Sequence, residues 1–166
     1  MAKVSFTKLG LKPNNEIQYI EFNEQTIEVK QYLPVEEKLE LITKVLELSH
    51  DSNNFSNPVK VSVYTTLEII EKYTNVNFTE KQKENPTKLY DLLVGNGFAA
   101  AVIKAIPEPE YDEILTGIKR TIKSVYKYQN SILGILDTIS QDYSNLNLDA
   151  TEIQKKLADP NNMELL

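Results

Sequence analysis

Between Tyr111 and Tyr143 the apolar residues recur in alternating steps of four and three: Tyr111, Leu115, Ile118, Ile122, Val125, then Ile132, Leu136, Ile139 and Tyr143. Gln129 takes the one polar place in the series. That period predicts a long amphipathic helix with a continuous seam. Pro109 suits its first turn, and Glu108, Glu110, Asp112 and Glu113 gather where the helix dipole favours carboxylates. The helix is therefore expected over about 109–143, a length of roughly 50 Å at about 1.5 Å per residue. A compact domain of this size does not need such a length. The helix is expected either to serve as a spine for shorter helices or to reach a partner. The ten seam residues, Gln129 included, are the candidate interaction residues. A lone polar residue on a seam can fix register or oligomeric state, or can mark where the seam meets solvent. Gly117 and Gly134 lie inside the same stretch, which close approach of another helix or simple tolerance would explain.

Toward the N-terminus the period changes to two. Residues 3–9 alternate apolar and polar, as do Ile17–Phe22 and Thr26–Tyr32, so a small antiparallel sheet of two or three strands is expected over about 3–32. Asn23-Glu24-Gln25 reads as a three-residue hairpin loop, with Asn23 able to take a positive φ. Such a sheet is marginal alone and needs a helix over one face. Pro34 then opens a helix carrying Val35, Leu39, Ile42 and Leu46. Asn57-Pro58 opens a second with Val59, Val63, Leu67 and Ile70, although its many β-branched residues allow a strand at 59–64. Thr79-Glu-Lys-Gln82 is a capping box for a short helix. Asn85-Pro86 starts another, closed by Gly95-Asn96-Gly97, and Phe98 to Ile106 reads as a buried helix ended by Pro107. Asp149-Ala-Thr-Glu152 caps a last short helix. The expected fold is mainly α: a helical bundle around one long C-terminal helix with a small N-terminal β element. It is read as a single domain over 1–166, with the β element at 1–33, a helical body at 34–158 and a frayed tail at 159–166.

Composition narrows the function classes. The chain has 166 residues, a net charge of −6 and no cysteine, so thiolate metal sites and disulfides are excluded. The acidic balance argues against nucleic acid as a partner. Met1 to Phe6 does not open a secretory signal, and no apolar run is long enough to span a membrane, so a cytoplasmic location is expected. Nine tyrosines without tryptophan favour protein interfaces, because tyrosine joins a large contact area to a polar tip.

Candidate chemistry is sparse. His50 is the only histidine; Ser49 and Asp51 flank it, but sequence neighbours on one loop do not supply the geometry of a catalytic triad. The residues after Asp51 lack the glycine and glutamate of a calcium loop, whose places fall on Ser56 and Ser62. Gly95-Asn96-Gly97-Phe98 lacks both phosphate-loop signatures and reads as a turn between helices. The acidic quartet at 108–113 could bind a divalent ion, and Lys119, Arg120, Lys123 and Lys127 could touch phosphates, yet a helix N-terminus and a solvated face account for both. No catalytic residue, cofactor or metal is expected. The chain is read as a non-enzymatic protein that binds other proteins, with homo-oligomerisation open. A small acidic inhibitor or regulator of a host protein is the alternative, and an enzyme with a carboxylate-lined cleft is a third class.

The layout carries one resemblance. A hairpin at Ile17–Tyr32, then Leu33-Pro34-Val35-Glu36-Glu37-Lys38 and an all-helical body, resembles small proteins from the structural-gene modules of phages of low-GC Gram-positive bacteria, the tail assembly chaperones above all. Tyr73-Thr-Asn-Val-Asn-Phe-Thr79 and Lys88-Leu-Tyr-Asp-Leu92 are similar to segments of such proteins. The resemblance covers about residues 17–140. It implies a non-enzymatic binder of virion or assembly components, acting in the host cytoplasm or in the virion.

Overall fold

The computed structural model describes residues 3–51, 55–131 and 134–136. The chain divides into two compact units, Met1–Ile122 and Lys123–Leu166.

The first unit begins with the hairpin. Strand β1 (Ile17–Phe22) pairs antiparallel with β2 (Gln25–Lys30), with Ile20 opposite Ile27 and Ile17 opposite Lys30. The loop is two residues long, one fewer than expected, and both take positive φ: Asn23 at 47° and Glu24 at 63°. That pair of angles suits a type I′ turn, whose twist matches the strands it joins. Ile20, Phe22, Ile27 and Val29 share the face turned to the core, while Ile17, Tyr19 and Glu21 face outward. Residues 3–9 form no strand. They hold a 3-10 turn at Phe6–Leu9, and every residue from Lys3 to Tyr19 is exposed. Alternation gives a strand only where a neighbour supplies the ladder, and residues 3–9 have no such neighbour among the described residues.

Among the described residues the helices α1 (Val35–Ser49), α2 (Pro58–Tyr73), α3 (Glu80–Lys83), α4 (Pro86–Gly95), α5 (Phe98–Ala105) and α6 (Glu108–Gln129) follow. Local chemistry sets their starts. Asn57 accepts the amides of Val59 and Lys60, and Pro58 fills the first turn of α2. Thr79 and Gln82 close the capping box of α3 reciprocally. Gly97 takes a left-handed φ of 77° to turn α4 into α5. The β-branched stretch 59–64 lies in a helix; Val63, Leu67 and Ile70 turn inward at helical spacing, and that burial outweighs weak propensity. Leu67, Glu68, Ile69 and Ile70 are buried in succession, so α2 is enclosed on several sides here. Around it the core gathers Val29, Leu33, Leu41, Val45, Tyr73, Val102 and Ile114. Phe22 meets Phe98 edge to face at 4.9 Å, joining hairpin to α5.

The second unit contains the last residues of α6 and a break. Asn130 and Ser131 leave the helix: the Asn130 side-chain amide donates to the Tyr126 carbonyl at 2.8 Å, and the Ser131 hydroxyl to that of Tyr128 at 2.6 Å. Ser131 Oγ also accepts the Gly134 amide at 3.1 Å, as a helix cap does, and residues 134–136 are helical again. The helix expected over about 109–143 is thus continuous to Gln129. Residues 137–143, and the cap expected at Asp149–Glu152, lie outside the described residues.

Candidate functional site

A polar cluster centred on Glu110 of α6 links three segments of the first unit. Helical spacing turns Glu110, Ile114 and Ile118 inward, four residues apart, and all three are buried. Glu110 Oε1 accepts the backbone amide of Leu33 and the hydroxyl of Tyr73, each at 2.9 Å. Its Oε2 accepts Lys38 Nζ at 2.9 Å. One carboxylate therefore fastens the strand-to-helix connection, α1 and the C-terminal end of α2. Lys38 Nζ also donates to Glu113 Oε2 at 2.6 Å and stands 4.5 Å from the Tyr32 ring centre. Burial alone would lower the Lys38 pKa, but the hydrogen bonds to Glu113 and Glu110 outweigh it and hold the ammonium above its ordinary value. Burial, reinforced by the hydrogen bond to Glu110, pushes the Tyr73 phenol far above its ordinary range.

Beside this cluster α1 and α6 leave a groove of about 420 Å³. Lys38, Ile42, Ile114 and Gly117 belong to its lining, and Asp112, Glu113 and Arg120 are its other charged residues. Val35 and Leu39 also line it and stay 63% and 60% exposed. Gly117 has a role here: a Cβ would stand 2.6 Å from Ile42 Cδ1, so the glycine leaves room for the Ile42 side chain against α6. Gly134 is enclosed by its own chain instead, since a Cβ there would meet the Tyr128 carbonyl oxygen at 2.1 Å.

The seam residues have separate fates. In the first unit Ile118 is buried, Ile122 packs half-buried against the core, and Tyr111 and Leu115 are half-buried. In the second, Val125 and Gln129 are half-buried and Leu136 is exposed. Ile132, Ile139 and Tyr143 lie outside the described residues. Sequence reasoning missed Glu110 and Ile114 as inward residues. The signal was available as a four-residue step, Glu110-Ile114-Ile118-Ile122, headed by a charge.

The other candidates are dispersed. Glu108 and Asp112 are exposed while Glu110 turns inward, and no group of three or more acidic or histidine side chains among the described residues could hold a metal ion. Ser49 donates its hydroxyl to the Val45 carbonyl, and Asp51 accepts the amide of Phe55 at 2.9 Å. His50 bridges to Ser56 in the same turn. Lys119, Arg120, Lys123 and Lys127 are exposed. Gly95-Asn96-Gly97 is a helix-to-helix turn in which the Asn96 amide returns to Leu92. No helix among the described residues is long and apolar enough to cross a membrane. No protein-family model, curated protein or solved structure matches the chain.

Proposed function

We propose that the chain is a non-catalytic interaction protein that serves phage assembly in the manner of a tail assembly chaperone, binding virion or assembly components in the host cytoplasm. The observation that carries the reading is where apolar side chains are left in solvent. Phe6 is 75% exposed and Leu11 69%, Val4 and Leu9 are exposed with them, and Ile17, Tyr19, Val35 and Leu39 add more apolar surface. Apolar exposure on this scale favours a protein partner. The charged groups of the α6 cluster support the same reading, because they are spent on one another: Glu110 accepts three hydrogen bonds, and Lys38 stands between two carboxylates. The phage assignment itself stands on the resemblance of layout.

The test is co-expression of the tagged chain with tail structural proteins of phages of low-GC Gram-positive bacteria. A stoichiometric complex with one of them, lost on replacing the exposed apolar residues with aspartate, is the expected result. Failure to form a complex with any of them overturns the reading.

A further inference from the structure

We propose that Asn96 is a site of covalent modification: it loses its side-chain amide to attack by the Gly97 backbone nitrogen, and the turn between α4 and α5 decides when. Asn96 is the only asparagine in the chain that precedes a glycine. Glycine has no Cβ to shield its nitrogen or to hinder the rotation that brings it onto the preceding side chain. Both residues are exposed, and even a Cβ built on Gly97 would meet nothing within 4 Å. The surroundings leave room for the reaction.

The step needs only water. The Gly97 nitrogen attacks Asn96 Cγ, forming a C–N bond that closes a five-membered imide. The Cγ–Nδ2 bond breaks, and Nδ2 leaves as ammonia with the proton shed by the Gly97 nitrogen. Water then opens the imide at one of its two carbonyls. Opening at Cγ gives aspartate in an unchanged main chain. Opening at the backbone carbonyl gives isoaspartate, whose main chain runs through the former side chain. In sum, water is consumed, ammonia is released and an amide becomes a carboxylate.

The folded turn withholds both participants. The Gly97 nitrogen donates to the Val94 carbonyl at 3.0 Å, and Asn96 Nδ2 donates to that of Leu92 at 2.8 Å. The backbone angle opposes the reaction as well. Ring closure needs the Gly97 nitrogen to eclipse Asn96 Cβ about the Cα–C bond, whereas at a ψ of 1° it eclipses the nitrogen of Asn96 itself. Correcting that rotation breaks the bond to Val94 and displaces Gly97, the cap of α5. Phe98, Ala99 and Val102 resist the displacement, because they are buried and Phe98 meets Phe22 at 4.9 Å. Reaction therefore waits on local opening of the turn. Once made, the change holds the turn open. A carboxylate at residue 96 has no proton to donate to Leu92 and stands at the negative end of the α4 dipole. Isoaspartate also adds an atom to the main chain just before α5. The modified chain thus carries α5 loosened from the hairpin.

The test incubates the full chain at one pH and temperature, folded and in urea, and maps its peptides by mass spectrometry. The expected result is an acid in place of the amide at residue 96, ahead of every other asparagine, accumulating at least about tenfold more slowly in the folded chain. Phe98→Leu, which thins the contact with Phe22, should speed the folded reaction while helical content and the rate in urea stay unchanged. Asn96→Asp, which makes one product directly, should melt below wild type. Four results overturn the inference: an amide that persists at residue 96 in urea, equal rates in the folded and unfolded chain, a folded rate that ignores Phe98→Leu, or an Asn96→Asp chain as stable as wild type.

Discussion

Two glutamates are buried in the first unit, and they are unlike. Glu110 uses both oxygens, for a backbone amide, a phenol and an ammonium that is itself buried. Glu68 on α2 bonds Lys44 Nζ at 2.8 Å through Oε1, while its Oε2 has no hydrogen-bond partner among the described residues. Lys44 is half-exposed and reaches Glu71 at 3.5 Å, and Glu71 meets Lys83 at 2.6 Å. Glu68 is thus the inner end of a chain of ions that runs out to solvent, where screening leaves each pair worth little. Glu110 is a cross-link between three segments. Burial is similar at both carboxylates; the partners, and whether those partners are buried too, decide what each does for stability.

Substitutions sharpen that contrast. Glu110→Ala should cost the most, about 3–5 kcal/mol, because it leaves the buried Lys38 ammonium with Glu113 alone and deprives the buried Leu33 amide and the Tyr73 hydroxyl of their acceptor. Urea denaturation with an unchanged m-value would measure it; a loss below about 1 kcal/mol would break the comparison. Tyr73→Phe should cost less, about 1–2 kcal/mol at neutral pH, since Leu33 and Lys38 still satisfy the carboxylate. It should also change the pH profile. The phenol is raised in the folded state, so above about pH 10 the unfolded chain ionises while folded Tyr73 keeps its proton, and stability falls as pH rises. That limb should be shallower by up to about 1.4 kcal/mol per pH unit in the variant. Part of the limb should persist, because Lys38, also raised, loses its stabilisation as pH climbs past its ordinary value. Thermal melts from pH 8 to 11 would show both. Glu68→Gln should matter least, within about 1 kcal/mol of wild type, for it removes an ion pair whose other end is half-exposed and replaces a buried carboxylate of which one oxygen has no hydrogen-bond partner. A loss as large as that of Glu110→Ala would make the two carboxylates equivalent.

Much of the fold was legible in the sequence because its signals are local. Asn57-Pro58, Asn85-Pro86, Thr79 with Gln82, and Gly97 each act on their own turn, and the helices begin and end beside them. The candidate site was less legible because its signals are not local. Glu110 in an acidic quartet at a helix start is already explained by the dipole, and nothing nearby reveals that Lys38 and Tyr73 face it. Ile114 was missed because steps of three and four drift relative to the buried face, which on α6 advances by fours. Residues 3–9 misled because alternation reports amphipathic character and not the neighbour a strand requires.

The Glu110 cross-link has a temporal side. Its partners stand 77, 72 and 37 residues earlier in the chain, at Leu33, Lys38 and Tyr73. Closing loops of that span is slow beside forming a hairpin or a helix. If the bonds to Glu110 form after the barrier, their loss should speed unfolding more than it slows folding, which chevron kinetics of Glu110→Ala would show. On the ribosome the order is stricter still. The hairpin, α1 and α2 are complete before Glu110 is translated, so until then Lys38 has no buried carboxylate to meet, and the first unit can lock only when the start of α6 arrives.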